Sequence, residues 1–356
     1  MHKWMLACLM AVMGVAVAQE VVIDGLNNPM GLLVTPDGTI WVVDAGHGGD
    51  QEIQTPDPQT GETITATVGM TSAVVSVAPD GTRTVRAMLP SVALPMENSG
   101  GSRLARLGTH VYATSGGWFG DLGPEPMPMM ASIVRVDTDE PQETTSTWTI
   151  EAEQNPDGYI LESHPYGIVG GSDGMLYVAD AGANTLLRVN PRNGDVTVLA
   201  VFEGVPGPFP NPARGGAMEA DPVPTGITQG SDGTLYVALL PGFPFLPGSA
   251  GVSRVTLDGE VTPITDGLTM VTDLQLAPDG HLYAVTLAVF TETGPTPMSG
   301  AVTRVGMDGD TAVVLDGLMF PTAIAFGANG DAYVTVNGLG APGTGQVLRY
   351  EGLGAR

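Results

Sequence analysis

Two charged residues interrupt a position that is otherwise glycine or alanine in six repeated segments of the chain. The six residues at this position are Gly31, Arg103, Gly167, Gly226, Asp273 and Ala323. If the segments form a closed ring, the second and fifth lie opposite each other, and Arg103 faces Asp273 across the central channel. An arginine and a carboxylate can form a bidentate, charge-assisted pair. The spacing therefore predicts either an ion pair that plugs the channel or a clamp for a ligand at its mouth.

Carboxylates and amides are a second source of candidate chemistry, because hard oxygen ligands suit calcium. Asp44 and Asp180 each end a predicted strand in an Asp-Ala-Gly sequence, and Asn184 follows the second of them. Such side chains also cap turns by accepting backbone N–H groups, and this structural role is the one we expect. The alternative is a calcium-type site near the channel mouth. Its possible ligands are Asp44, Glu97, Asn98, Asp180, Glu219 and Asp273.

Further residues on the same side of the predicted ring are candidates for contacting a ligand. They are His164, Tyr166, Thr225 and Phe243, beside Asp44, Arg103, Asp180, Asn184 and Asp273. Cys8 is the single cysteine and lies in a segment that we expect to be removed, so thiol catalysis is excluded. At most two histidines, His47 and His164, fall on this side, which argues against a three-histidine zinc site. The sequence contains neither a G-x-S-x-G elbow nor a P-loop.

The segments that must position these residues share one pattern: a short apolar strand, a tight turn with glycine, and a strand led by tryptophan or tyrosine. The turn glycines are Gly38, Gly108, Gly174, Gly233, Gly280 and Gly330, and the leading aromatics are Trp41, Tyr112, Tyr177, Tyr236, Tyr283 and Tyr333. A second pair of strands follows each segment. This repetition predicts an all-β fold, a six-bladed β-propeller of four-stranded blades in a single domain over residues 19–356. The aromatics are expected to pack between blades.

The two ends of the chain together make one further repeat. Residues 21–26, Val-Val-Ile-Asp-Gly-Leu, resemble residues 313–318, Val-Val-Leu-Asp-Gly-Leu, which precede the last segment. We therefore expect the N-terminal strand to join the last blade and close the ring, which removes exposed strand edges.

The connections between predicted strands are unequal in length. In most blades the connection of the first strand to the second, and of the third to the fourth, is a short turn. The insertions fall in the other connections and include 46–72, 116–131, 151–164, 204–223 and 240–250. Up-and-down strands bring these insertions to one side of the ring, here called the loop-rich face. Because binding residues concentrate on long loops held by a rigid scaffold, we expect this face to be the working surface.

The N-terminus and the charge predict the location of the protein. Residues 1–18 have a short basic start, an apolar run and a small-residue end at Ala16-Val17-Ala18, which predicts a secretory signal peptide cut near Ala18. Export to the periplasm or the exterior follows. The formal net charge of −25 argues against nucleic acid as a partner. No later segment is apolar enough to span a membrane, and we expect a monomer.

The chain resembles NHL-type propellers, the group that includes strictosidine-synthase-like and gluconolactonase-like proteins, and more closely the bacterial ScyD/ScyE family. The residues that carry this resemblance are 164–189, 197–202, 223–255 and 265–285. The resemblance implies a secreted propeller and does not itself imply an activity. We therefore expect a non-catalytic binding or accessory protein for a small molecule, a glycan or a protein. The alternative is a metal-dependent hydrolase of the lactonase type, with a calcium-type ion at the channel mouth.

Overall fold

The structure is a computed structural model that describes residues 19–56, 62–94 and 98–355. The predicted signal peptide and Glu97 lie outside these residues. Within them the chain is nearly all-β, and most strands form antiparallel sheets of four or more strands. The predicted all-β fold class is confirmed.

The first half of the chain contains β1 and three of the sheets. Strand β1 is Gln19–Leu26. Sheet 1 contains β2 Pro29–Val34, β3 Ile40–Asp44, β4 Gln51–Pro56, β5 Thr63–Val77, β6 Arg83–Ala93 and β7 Asn98–Ser99. Sheet 2 contains β8 Gly101–Leu107, β9 His110–Ser115, β11 Ser132–Arg135 and β12 Gln142–Ser146. Strand β10 Trp118–Phe119 and a 3₁₀ turn at Gly120–Leu122 lie between β9 and β11. Helix α1 Trp148–Gln154 follows β12, and β13 Glu162–Ser163 then pairs with β10. Sheet 3 contains β14 Pro165–Gly170, β15 Leu176–Asp180, β16 Thr185–Val189 and β17 Val196–Val201.

The second half repeats this arrangement. A hairpin of β18 Val205–Asn211 and β19 Ala217–Ala220, with a 3₁₀ turn at Pro212–Arg214, precedes sheet 4. Sheet 4 contains β20 Pro224–Gln229, β21 Leu235–Leu239, β22 Ala250–Val255 and β23 Val261–Leu268. Sheet 5 contains β24 Val271–Leu276, β25 Leu282–Thr286, β28 Gly300–Val305 and β29 Thr311–Leu318, with the short hairpin β26 Phe290–Thr291 and β27 Gly294–Pro295 inserted. Sheet 6 contains β30 Ile324–Phe326, β31 Ala332–Val336 and β32 Gly345–Tyr350.

Strand β1 completes sheet 6 and closes the ring, as predicted. It pairs antiparallel with β32, from Gln19 opposite Tyr350 to Leu26 opposite Gly345. The first strand of each sheet, here called its inner strand, contacts the inner strands of the sheets on either side. This series runs β2, β8, β14, β20, β24, β30 and returns to β2.

The hydrophobic core lies between neighbouring sheets. One cluster joins Trp41 and Val43 of sheet 1 to Leu104 and Val111 of sheet 2, and equivalent clusters fill each following interface of the described ring. The leading aromatics belong to these clusters, so their predicted packing between sheets is confirmed. The turn glycines are also confirmed, because all six have positive φ, between 62° and 88°.

The insertions emerge together at the end of the ring where the inner strands begin. The longest of them is structured, because β4 pairs with the first part of β5 and extends sheet 1. Helix α1 and the β18–β19 hairpin occupy two other insertions. Among the described residues, none of the helices is long and apolar enough to cross a membrane.

Ring closure can be tested by truncating buried and exposed side chains of β1. Leu26 is 1% exposed within the cluster between sheets 6 and 1, whereas Val21 on the same strand is 49% exposed. We expect Leu26→Ala to lower the free energy of unfolding by about 2–4 kcal/mol, and Val21→Ala by less than about 1 kcal/mol. Urea denaturation measures both variants. Equal effects would show that β1 does not seal the ring.

Candidate functional site

Arg103 lies at the centre of the ring with its side chain 4% exposed. It projects from inner strand β8, and its two terminal nitrogens donate to backbone carbonyls of several inner strands. The acceptors are the carbonyls of Met30, Ser102 at 2.9 Å, Thr272 at 2.5 Å and Thr322 at 2.8 Å. One side chain therefore ties sheets 1, 2, 5 and 6 together at the axis.

Asp273 is the partner that the sequence predicts for Arg103, and the pairing is confirmed. Arg103 Nε lies 3.5 Å from Asp273 Oδ1, and both side chains are almost fully buried. The carboxylate also accepts the backbone N–H groups of Leu274 and Ile324, each at 2.9 Å. The guanidinium carbon lies 4.4 Å from the centroid of the Tyr166 ring, a cation–π contact, and Nη2 donates to the Tyr166 hydroxyl at 3.3 Å. The pair thus plugs the channel, which is one of the two predicted roles.

Glycine occupies the equivalent repeat position in sheets 3 and 4 for a packing reason that the sequence did not reveal. A Cβ added at Gly167 would lie 1.9 Å from the carbonyl oxygen of Thr225, and one at Gly226 would lie 2.2 Å from the backbone nitrogen of Leu274. Glycine is needed here because the backbones of adjacent inner strands approach closely.

Three threonine hydroxyls, each one residue before the repeat position that Gly226, Asp273 and Ala323 occupy, link sheets 4, 5, 6 and 1 in series. Thr225 Oγ1 donates to the carbonyl of Val271 at 2.6 Å, Thr272 Oγ1 to that of Thr322 at 3.1 Å, and Thr322 Oγ1 to that of Pro29 at 2.6 Å. Thr225, a candidate for contacting a ligand, is therefore buried and bonded within the ring.

The carboxylates at the strand ends accept backbone N–H groups, mostly from neighbouring segments; Asp180 also accepts the N–H of Ala183 in the following turn at 3.2 Å. Asp44 accepts the N–H groups of Ala73 at 2.8 Å and Asn27 at 3.3 Å, and burial raises its pKa to about 6. Asp180 accepts the N–H of His164 at 2.6 Å and the hydroxyl of Ser163 at 2.7 Å. Burial also raises the pKa of Asp180.

The other described candidate metal ligands are likewise bonded to protein groups. Asn98 Nδ2 donates to Asn28 Oδ1 at 3.2 Å, and Glu219 pairs with Arg214 at 3.2 Å. In the part of the chain that the structure describes, no three His, Cys, Asp or Glu side chains converge as a metal site would require. Asp273, the candidate at the axis, is already paired with Arg103.

Asn184 and His164 organise the loop-rich face around sheet 3. Asn184 donates to Asp157 Oδ2 at 2.8 Å and accepts the N–H of Val223 at 3.2 Å, which joins two insertions. The His164 ring stands edge-on to Tyr166, with centroids 5.8 Å apart, and its buried Nε2 has no hydrogen-bond partner in the described structure.

Glu151 of α1 is a buried acid that the sequence did not single out. Its side chain lies beneath the surface, Oε1 accepts the N–H of Glu162 at 3.3 Å, and Oε2 has no partner among the described atoms. Burial, followed by the nearby charge of Asp180, raises its pKa to about 8. Glu151 lies in an insertion outside the repeat, so the repeated sequence pattern could not have predicted its burial.

Four phenylalanines form a continuous strip on the loop-rich face, with two rings exposed and two half-buried. They are Phe209, Phe243, Phe245 and Phe290, here called the phenylalanine strip, and successive ring centroids are 5.8, 6.1 and 5.0 Å apart. Phe243 was predicted as a contact residue and is 56% exposed, and Phe209 is 42% exposed. Aromatic clusters of this kind offer large apolar contact area in defined geometry.

Arg214 holds the hairpin that carries Phe209. Its buried guanidinium donates to Glu219 at 3.2 Å and to Asp221 at 2.9 Å. The same group lies 4.1 Å from the ring centroid of Tyr159. The hairpin that presents Phe209 is therefore tied internally and to the neighbouring insertion that carries Tyr159.

The comparisons with known proteins agree with this fold. Residues 167–340 match the sequence model of the SMP-30/Gluconolactonase/LRE-like region family. The chain is similar in structure to a gluconolactonase from Xanthomonas campestris, with a TM-score of 0.58 and 12% identity over 95% of this chain and 90% of that chain. It is also similar to regucalcin, a calcium-binding protein from Agrobacterium tumefaciens strain C58, with a TM-score of 0.53 and 15% identity over 94% and 93% of the two chains. No curated protein matches the sequence significantly. The expected resemblance to gluconolactonase-like propellers is thus supported, and at these identities the structural likeness concerns the fold alone.

The raised pKa of Glu151 predicts how stability depends on pH. A carboxyl group whose pKa is higher in the folded chain stabilises the fold below its unfolded pKa of 4.5, and this contribution is lost as the pH rises to about 8. Between pH 5 and 8, we expect the wild-type free energy of unfolding to fall by about 1–3 kcal/mol more than that of Glu151→Gln. Urea denaturation at a series of pH values measures this difference.

The matched control is Glu153→Gln, because Glu153 is exposed on the same helix. Its pH dependence should follow the wild type. If Glu151→Gln also follows the wild type, the account of this acid is wrong.

Proposed function

We propose that the chain is an exported, monomeric, six-bladed propeller of the ScyD/ScyE type that binds a small molecule or glycan on the phenylalanine strip. Export with residues 1–18 as the signal peptide is part of this proposal. The observation that carries it is the exposure of Phe209 and Phe243 within an ordered aromatic cluster on the loop-rich face.

The strip is built to contact an apolar or planar surface. Burying a phenylalanine side chain contributes about 1.5–3 kcal/mol, and two exposed rings offer enough area for a ligand of moderate affinity. Phe245 and Phe290 anchor the strip, because they pack against the buried cluster of Met270, Leu287 and Ala288. A rigid aromatic surface loses little conformational entropy when a ligand binds.

The net charge of the chain and the pairing of Arg214 bear on the charge of the ligand that the strip would bind. The chain has a formal net charge of −25, and Arg214, the arginine nearest the strip in the hairpin, is buried and fully paired with acids. An anionic ligand would meet repulsion without a free basic partner. A neutral or cationic ligand with an apolar face is therefore favoured.

A lactonase-type hydrolase is the second candidate, and the family match over residues 167–340 favours it. Metal-assisted hydrolysis needs several oxygen ligands at one point. The described residues do not bring such ligands together, which is why this candidate ranks second.

Lactone hydrolysis separates the two candidates. Assays with glucono-1,5-lactone and a panel of other lactones, each with calcium and with EDTA, are expected to show no rate above the spontaneous reaction. Protein-dependent hydrolysis that EDTA abolishes would establish the enzyme instead.

Binding at the strip is tested with the double variant Phe209→Ala, Phe243→Ala and the neutral apolar dye Nile red. We expect the double variant to weaken dye binding by at least about tenfold, because two rings leave the contact surface. Fluorescence titration gives the dissociation constant, and competition by neutral oligosaccharides identifies a glycan ligand.

The control variant is Val313→Ala, because Val313 is 62% exposed on β29, away from the strip. It should bind the dye as the wild type does. Equal binding by all three proteins would place the apolar site elsewhere.

A further inference from the structure

The axis of the ring is a cage of oxygen atoms around one positive charge. Backbone carbonyls of four residues, the carboxylate of Asp273 and the hydroxyl and ring face of Tyr166 surround the guanidinium of Arg103. The residue is 3% exposed, so water does not screen this arrangement. The acceptors come from the inner strands of five of the six described sheets.

Such a cage requires a cation. Buried carbonyls and carboxylates that lose their donor cost free energy, because no water replaces the missing bond. The hydroxyl links between inner strands satisfy some of these carbonyls, but the Asp273 carboxylate keeps a negative charge whose sole basic partner in the described structure is Arg103. The planar fork of a guanidinium matches several acceptors at once, which a compact ammonium group does not.

We propose that the axis is a cation-binding site with guanidinium specificity, and that Arg103 is its tethered occupant. The site is separate from the phenylalanine strip, so this inference does not rest on the proposed ligand. It implies that the wild-type chain does not take up a divalent ion at the axis, because the position already holds a positive charge.

Removal of the side chain should convert the tethered cation into an exchangeable one. Arg103→Ala lacks the atoms of ethylguanidinium, so this small ion is the probe. We expect the variant to unfold about 10 °C below the wild type. Millimolar ethylguanidinium should then raise its Tm by about 3–6 °C, and the rise should saturate with concentration.

Three controls show whether the rise is specific. Ethylammonium carries the same charge without the planar fork and should not rescue Arg103→Ala. Ethylguanidinium should not raise the Tm of the wild type, whose cage is full. It should also not raise the Tm of Arg188→Ala, because Arg188 makes a half-exposed ion pair with Asp173 and leaves no enclosed site.

Each outcome decides the proposal. Saturable rescue by ethylguanidinium alone supports it. Equal rescue by ethylammonium, stabilisation of the variant by calcium alone, or no rescue by any cation overturns the guanidinium specificity. If Arg103→Ala does not fold when expressed, refolding with ethylguanidinium must recover it, and failure to do so counts against the proposal.

A measurement on the wild type tests the same point without a variant. In a caged guanidinium the Nη–H groups rotate and exchange slowly, so ¹⁵N spectra should show separate, solvent-protected Nη signals with contacts to the Tyr166 ring. Averaged, rapidly exchanging signals for every arginine would contradict a closed cage.

Discussion

A positive charge buried at the centre of a β-ring needs several acceptors at once, and this requirement organises the structure around Arg103. Its guanidinium donates to the carbonyl of Thr322, 219 residues away in sequence, and to that of Met30, 73 residues away in the other direction. Asp273 balances the charge and, through Ile324, fixes the inner strand of the last sheet. The threonine hydroxyls continue the connection from sheet 4 to sheet 1. The axis is therefore a set of polar bonds inside a ring whose outer parts are held by apolar clusters between sheets.

A filled axis directs function to the surface. The terminal nitrogens of Arg103 donate to backbone carbonyls, and the Asp273 carboxylate accepts two backbone N–H groups, so the described side chains at the axis are engaged within the ring. The insertions on the loop-rich face are anchored instead by side chains such as Asn184 and Arg214, and they present the phenylalanine strip to solvent. The buried charges at the axis hold the sheets together, whereas the exposed phenylalanine side chains would supply contact area for a partner.

Much of the fold was predictable from the sequence, because it depends on a repeat. Periodic turn glycines and leading aromatics predict the sheets, and the match between residues 21–26 and 313–318 predicts the closure by β1. The opposition of Arg103 and Asp273 follows from the same periodicity. The roles of insertion residues were not predictable in this way. Phe209 meets Phe243 only because a hairpin folds back over a loop, and Glu151 is buried by a helix that occurs once. The repeat shows glycine at positions 167 and 226, but the reason, the close approach of adjacent backbones, is visible only in the structure.

The most direct test of the account is an experimental structure of crystals soaked in manganese, with an anomalous difference map calculated at the axis. The account predicts guanidinium density between the carbonyls of Met30 and Thr322, contact with Asp273, and no anomalous peak there. A manganese ion bound to Asp273, with the Arg103 side chain turned away, would contradict it.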